Sequence, residues 1–300
     1  MNILITGAWN PTDKQLEAVK ALGHSIIFMQ NEKDKLPCDP SIVEAVICNG
    51  LFLYHDIDKF TSLRYIQLTS AGFDRVPMDV VKKRGIEIHN ARGVYSIPMA
   101  EYAILGVLEL YKNAFGFRLS QKNHRWEKRR SICELYGKTV LIIGCGNVGT
   151  ECAKRFLAFG CKIIGLDAFP RDNENYEVVL PIDKMSNAVR VADIIVLTLP
   201  LTEKTKHIID KRTIQSIKEG SILVNIARGA IIETAALIEA LVGGKLGGAV
   251  LDVFEEEPLP ESSPLWDMDN VVITPHNSFV GDGNGKRLFE VIHKNLLSFN

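Results

Sequence analysis

The stretch from Lys138 to Pro170, KTVLIIGCGNVGTECAKRFLAFGCKIIGLDAFP, constrains the fold more than any other part of the chain. An apolar, β-branched run from Thr139 to Ile143 is long enough for one buried strand. It leads into Gly144-Cys145-Gly146-Asn147-Val148-Gly149, a G-x-G-x-x-G. Ala153, Phe156 and Leu157 then recur at helical spacing, and Gly160 closes that segment. Cys161 to Leu166 reads as a second strand, ending at Asp167. Strand, glycine turn, helix, strand and acid together make one βαβ unit of the dinucleotide-binding kind.

Each part has a physical task. Gly144 allows the tight turn, Gly146 has no Cβ and lets a pyrophosphate approach the backbone, and Gly149 lets the helix pack closely on the strand. The helix N-terminus offers unpaired N–H groups and a partial positive charge to the phosphates. Asp167 stands where a carboxylate can accept hydrogen bonds from ribose hydroxyls and repel a 2′-phosphate, so the expected cofactor is NAD(H) rather than NADP(H). The rival reading is a glycine-rich turn of some other α/β protein. The flanking elements and the spacing of the acid weigh against it.

At 300 residues the chain suits one large or two medium domains. Its net charge is −1 with acids and bases interspersed, which advertises neither a nucleic-acid nor a membrane surface. The first residues, MNILITGAWNP, lack the basic start and apolar length of a signal peptide. No stretch approaches the roughly 20 apolar residues of a membrane span. The six cysteines form no C-x-x-C pair and read as reduced residues of a cytoplasmic protein, with no metal site expected.

Along the chain, Asn2–Thr6, Ser25–Met29, Val43–Cys48, Arg64–Thr69 and Ile86–His89 read as strands, with a helix at Lys14–Leu22. This first third is expected to be a small α/β unit with a mostly parallel sheet. Ile97 to Leu119 reads as one long helix, apolar on two sides and so buried between layers or at a subunit contact. Beyond Asp167, strands are expected at Asp193–Leu199, Ser221–Ile226, Lys245–Val253 and Val271–Thr274, with helices at Arg212–Lys218 and Thr234–Val242. With the two strands around the glycine turn, these complete a six-stranded dinucleotide-binding sheet. Asp282–Asn300 reads as a helix returning to the first unit. The expected fold is therefore α/β with two domains. A Rossmann domain, residues 97–281, is inserted in a flavodoxin-like substrate domain made of residues 1–96 plus 282–300.

Ligands of open α/β sheets bind beyond the carboxyl ends of strands. Three such ends carry chemistry: Asn225-Ile226-Ala227-Arg228-Gly229, Asp252-Val253-Phe254-Glu255-Glu256-Glu257-Pro258 and Thr274-Pro275-His276-Asn277. Arg228 can clamp a carboxylate and polarise the adjacent carbonyl. His276 can exchange a proton with a substrate oxygen, and Glu257 can orient its ring. Each has a plain alternative: a surface ion pair for Arg228, a strand cap for His276, a solvated face for Glu257 and still more for Glu255 and Glu256. Their recurrence after three strands of one domain favours a shared site.

Here the chain resembles the D-isomer-specific 2-hydroxyacid dehydrogenases over nearly its whole length. The motifs are ELYGKTVLIIGCGNVG (Glu134 to Gly149), LPLTEKTKHII (Leu199 to Ile209), NIARGAII (Asn225 to Ile232), DVFEEEP (Asp252 to Pro258) and TPH (Thr274 to His276). The resemblance implies an NAD-dependent oxidoreductase interconverting a D-2-hydroxy acid and its 2-oxo acid, with Arg228, Glu257 and His276 as the catalytic trio. It implies cofactor contacts at Gly144, Gly146, Asn147, Val148, Gly149, Asp167, Pro200, Thr205, Ile226, Ala227, Arg228, Asp252 and His276, with Asp252 on the nicotinamide carboxamide. It also implies a substrate carboxylate held by the N–H groups of Ala71 and Gly72 in Thr69-Ser70-Ala71-Gly72-Phe73-Asp74, and a homodimer formed through the long helix.

Two departures qualify this. Asn277-Ser278-Phe279 follows the histidine where the family has small residues, and Cys48 to Tyr54 lacks the arginine of the phosphoglycerate enzymes. Leu51, Phe52 and Tyr95 suggest instead a partly apolar substrate pocket. The alternatives are phosphoglycerate dehydrogenase proper, or a non-catalytic NAD(H)-sensing protein resembling transcriptional corepressors.

Overall fold

The structure, a computed structural model, describes residues 1–299. In chain order the first elements are β1 (Asn2–Thr6), α1 (Asp13–Lys20), β2 (Ser25–Met29), β3 (Ala45–Cys48), β4 (Tyr65–Leu68), α2 (Met78–Arg84) and β5 (Glu87–His89). Then come α3 (Ser96–Tyr111), α4 (Ala114–Lys122), β6 (Thr139–Ile143), α5 (Asn147–Ala158), β7 (Lys162–Asp167), β8 (Val178–Pro181), α6 (Met185–Ala188) and β9 (Ile194–Leu197). The last are α7 (Lys211–Ser216), β10 (Ser221–Asn225), α8 (Thr234–Val242), β11 (Leu246–Leu251), β12 (Val271–Ile273) and α9 (Asn284–Phe299).

These elements divide into two units, Met1–Tyr95 with Gly281–Asn300, and Ser96–Val280. Asn300, which closes the substrate domain expected from sequence, lies outside the described residues. Unit 1 holds a five-stranded sheet in the order β2-β1-β3-β4-β5, all parallel. That is the flavodoxin-like order, with its switch point between β1 and β3. Unit 2 holds a seven-stranded parallel sheet in the order β12-β11-β10-β9-β6-β7-β8, whose switch point lies between β6 and β9.

The strands are near-continuous apolar runs because a parallel sheet is covered on both faces. The two-residue period sorts them. In unit 2, Leu141, Ile143, Ile195 and Leu197 pack into one core, while Val140, Ile142, Ile194 and Val196 pack into the other. In unit 1, Leu4, Val46, Ile66 and Leu68 line one side, and Ile3, Ile5, Ile47 and Tyr65 the other. The second of these cores is closed by Leu288, Ile292 and Leu296 of α9, so the last helix does return to the first sheet. Arg287 Nε donates to Val94 O at 2.7 Å and Asn295 Nδ2 to Gln67 Oε1 at 2.9 Å, fixing its seat.

Two expectations change. The long helix from Ile97 to Leu119 is broken: α3 ends at Tyr111, Asn113 takes φ 50°, and α4 starts at Ala114. Asparagine tolerates this left-handed conformation, and its side chain lies over Gly116, where a Cβ would come within 2.3 Å of Asn113 Nδ2. The Rossmann sheet has seven strands, not six, since β8 pairs with the outer side of β7. A four-residue edge strand after the polar run Asp172–Glu177 gives too short an apolar signal to read from sequence.

Candidate active site

In unit 2 the glycine turn has the shape its sequence demands. Gly144 sits at φ 100°, and a Cβ there would lie 2.6 Å from Leu199 N. A Cβ on Gly149 would lie 2.1 Å from Gly144 O, so α5 approaches the turn as closely as only glycine permits. A Cβ on Gly146 would meet nothing within 4 Å, leaving open space at the N-terminus of α5 beside Asn147 and Val148. Thr198 Oγ1 donates to Gly144 O at 2.6 Å and steadies the turn from β9, a contact the sequence reading missed.

Asp167, at the end of β7, accepts from Cys145 N at 2.8 Å through Oδ2 and from Phe169 N at 2.9 Å through Oδ1. It borders a recess also lined by Cys145, Phe169, Arg171 and Asn173. Open space before a helix N-terminus, with an oriented carboxylate at the end of the next strand, fits the pyrophosphate and ribose of a dinucleotide.

The segment after β9 folds on itself: Thr205 Oγ1 donates to Pro200 O at 2.7 Å and accepts from Thr202 N at 2.7 Å. After β10, Asn225 shapes the arginine turn, its Nδ2 donating to Arg228 O at 2.9 Å and its Oδ1 accepting from Ala227 N at 3.1 Å. Ile226 and Ala227 are buried. The Ile226 side chain belongs to the core, so it has only its backbone to offer a ligand. Arg228 is exposed, and its Nη1 donates to Ala227 O at 2.8 Å. It forms no ion pair among the described residues, which leaves its charge available to an anion.

His276 Nδ1 and Glu257 Oε2 are 2.8 Å apart, and the other Glu257 oxygen accepts from Phe254 N at 3.0 Å. The imidazole is 43% exposed, so Nε2 can meet a ligand. A Cβ on Gly229 would fall 1.8 Å from the Phe254 carbonyl carbon. The turn bearing Arg228 therefore rests directly on the segment bearing Glu257, and this close packing connects all three residues of the expected trio within unit 2.

Asp252, expected at the nicotinamide, is tied into the protein by its own hydrogen bonds. It is 1% exposed, and its carboxylate accepts four hydrogen bonds from three donors: Thr274 Oγ1 at 2.6 Å, Asn277 N at 2.8 Å, and Ser278 N at 3.1 and 3.0 Å on its two oxygens, with His276 N reaching Asp252 O at 2.8 Å. All of these donors come from residues 274–278, so Asp252 organises the histidine loop. Glu255 also corrects the sequence reading. Though exposed, it is engaged through both oxygens: Oε1 meets His207 Nε2 at 2.5 Å and Oε2 accepts from Thr234 N at 2.9 Å. Burial pushes its carboxyl up, but hydrogen bonds from Thr234 and His207 outweigh that and hold it below the usual carboxylate value. His207 stood inside the quoted LPLTEKTKHII motif, and that was the available signal.

In unit 1, the N–H groups of Ala71 and Gly72 make no hydrogen bond among the described residues. Asn90 Nδ2 holds the turn by donating to Ala71 O at 2.6 Å. Tyr95 donates its hydroxyl to Thr69 O. Leu51, expected in a substrate pocket, has its side chain fully buried in the core, and the exposed apolar residues of its turn are Leu53 and Tyr54. Among the described residues no group of three His, Cys, Asp or Glu side chains is arranged to hold a metal ion.

Residues 104–278 match the family described as D-isomer specific 2-hydroxyacid dehydrogenase, NAD binding domain. Over 252 residues the chain is 37% identical to a hydroxypyruvate reductase of Thermotoga maritima, covering 82% of this chain and 81% of that one. It is 40% identical over 234 residues to a D-3-phosphoglycerate dehydrogenase of Methanocaldococcus jannaschii, covering 77% of this chain but 44% of that protein, so it spans less than half the length of this relative. The solved D-lactate dehydrogenase of Aquifex aeolicus, complexed with NAD and lactic acid, superposes with a TM-score of 0.80 at 27% identity, covering 99% of this chain and 95% of that one.

Proposed function

Because the chain belongs to the D-isomer specific 2-hydroxyacid dehydrogenases, a family of NAD-dependent oxidoreductases, we propose that it interconverts a small D-2-hydroxy acid and its 2-oxo acid. The observation that carries this reading is the 2.8 Å pairing of His276 with Glu257, beside a free arginine in a dinucleotide-binding unit.

A nicotinamide cofactor held in unit 2 would supply the hydride in the reductive direction. Gly146, Asn147 and Val148 would receive its pyrophosphate and Asp167 its ribose hydroxyls, and the Pro200–Thr205 and Ile226–Ala227 segments would line it. Glu257 engages Nδ1 of His276 and so presents Nε2 to the substrate oxygen. Protonated there, His276 gives its proton to the oxygen as the hydroxyl forms, and in the reverse direction Nε2 takes it back. Arg228 binds the carboxylate in bidentate fashion and polarises the neighbouring carbonyl. Unit 1 offers the Ala71 and Gly72 N–H groups to a carboxylate of the same kind. Asp252 is a positioning residue, acting through the loop that carries His276.

A homodimer belongs to the same proposal. Leu105 of α3 and Phe115, Phe117 and Leu119 of α4 are exposed apolar residues on neighbouring helices, the composition of a subunit contact. A cytoplasmic setting fits six cysteines that are all free. No helix among the described residues is long and apolar enough to cross a membrane.

The test is a panel of 2-oxo acids with NADH and NADPH, run on wild type and His276→Ala. Wild type turns over at least one acid with NADH preferred, and His276→Ala lowers kcat by about 10²–10⁴-fold while NADH affinity holds. Wild-type rates in His276→Ala would remove the acid–base role and the enzyme reading with it.

A further inference from the structure

The carboxyl ends of the unit 1 strands carry two turns with backbone donors, and the protein treats them in opposite ways. After β4, the Ala71 and Gly72 N–H groups are open. After β3, the N–H groups of Asn49 and Gly50 both donate to Glu32, at 2.7 Å each. Glu32 Oε1 also accepts from the Thr6 hydroxyl at 2.7 Å. Thr6 ends β1, and β1 and β3 flank the switch point of this sheet, where open α/β folds take their ligands. The donor pair best placed to hold an anion at that point is thus filled by a side chain of the protein itself.

We propose that Glu32 is a specificity-determining residue: a built-in anion that occupies the Asn49–Gly50 donors and restricts the substrate to 2-oxo acids with the carboxylate as their single negative group. This rests on the reading in which Ala71 and Gly72 bind the substrate carboxylate. Three charge-assisted hydrogen bonds hold the Glu32 carboxylate in place. A substrate bearing a second carboxylate or a phosphate meets a fixed like charge and finds its donors already taken. Arg75 stands beside this turn. Its Cδ lies 3.6 Å from where a Gly50 Cβ would stand, yet its guanidinium forms no ion pair with Glu32 among the described residues. Removing the Glu32 carboxylate would leave two open N–H groups with an arginine stem beside them, a ready receptor for a phosphate.

The experiment compares wild type with Glu32→Ala in two ways. The first is the thermal shift produced by inorganic phosphate. Phosphate at the glycine turn of unit 2 stabilises both proteins equally, so the difference between them is read. An additional upward shift in Glu32→Ala is expected, and equal shifts overturn the proposal. The second is kcat/KM for 2-oxo acids with a terminal phosphate or second carboxylate, relative to those with one carboxylate. That ratio should rise by roughly tenfold or more in the variant, and an unchanged ratio overturns the proposal. If wild type reduces no 2-oxo acid, the enzyme reading fails and the phosphate shift alone decides the role of Glu32. Should Glu32→Ala not fold, Glu32→Gln removes the like charge and answers the kinetic question, an unchanged ratio again overturning the proposal.

Discussion

The two units open alike and then part. In each the first strand of the sheet opens a β-α-β run, β1-α1-β2 in unit 1 and β6-α5-β7 in unit 2, and the second strand leads to an acid that accepts hydrogen bonds from backbone N–H groups: Asp167 at the end of β7, Glu32 after β2. In unit 2 the turn after the first strand is kept clear, with nothing within 4 Å of a Cβ on Gly146. In unit 1 the same turn is Gly7-Ala8-Trp9, and Trp9 is 2% exposed, stacked on Phe289 of α9 at 6.5 Å. A Cβ on Gly7 would come 2.2 Å from Gln30 O, so the backbone here packs directly on the segment that follows β2. One topology makes a place for anions, and the residues decide whether it stays open or is plugged.

The largest test of this contrast is Trp9→Ala. Its Nε1 has no hydrogen-bond partner among the described residues, so the change removes packing alone. A loss of about 3–5 kcal/mol is expected, read by hydrogen exchange as lost protection in β1 and α9. NADH affinity, if it belongs to unit 2, stays constant in the folded protein. Equal loss of protection in β6 would show that the plug serves both units.

A smaller effect is expected at the other turn. Gly144→Ala places a side chain at φ 100°, with its Cβ 2.6 Å from Leu199 N. The strain costs about 1–3 kcal/mol, and the displaced turn loses NADH affinity by calorimetry. Full affinity in this variant would mean that the cofactor does not use the glycine turn.

The smallest concerns pH. The Glu255 carboxyl is held below its ordinary value, so its contribution to stability is complete above the unfolded value and is lost as pH falls through the lowered folded one. Glu255→Gln should therefore lower the melting temperature at neutral pH, and the gap to wild type should close on the acid side. A gap that stays constant down to about pH 3 would assign the effect to packing.

The sequence showed what depends on local spacing. The glycine turn and Asp167 lie 18 residues apart on one βαβ unit, from Gly149 to Asp167, and the strand that ends at the acid is apolar from Ile163 to Leu166. His276 and Glu257 could be paired because each follows a strand of one parallel sheet. What stayed hidden depends on backbone donors that no side chain announces. Asp252 receives amides from residues 25 and 26 positions away, and Glu32 receives them from 17 and 18. Neither acid stands out from its neighbours in sequence. Glu255 was misread because a run of acids looks solvated until a partner, here His207, comes from a distant loop. The break at Asn113 turns on one left-handed residue inside a continuous apolar pattern, which periodicity cannot register.

The loop bearing His276 is held in an unusual way. His276 itself lies at φ 50°, and Asn277 and Ser278 are bound to the buried Asp252 carboxylate by their main-chain N–H groups. An anchor that grips backbone is indifferent to which side chains it carries. Residues after the histidine can therefore drift, as the departure Asn277-Ser278-Phe279 shows, while the aim of the imidazole is inherited unchanged. Mutational scanning should find Asn277 permissive and Asp252 intolerant, making the aspartate the site's evolutionary fixed point and the exposed loop its free variable.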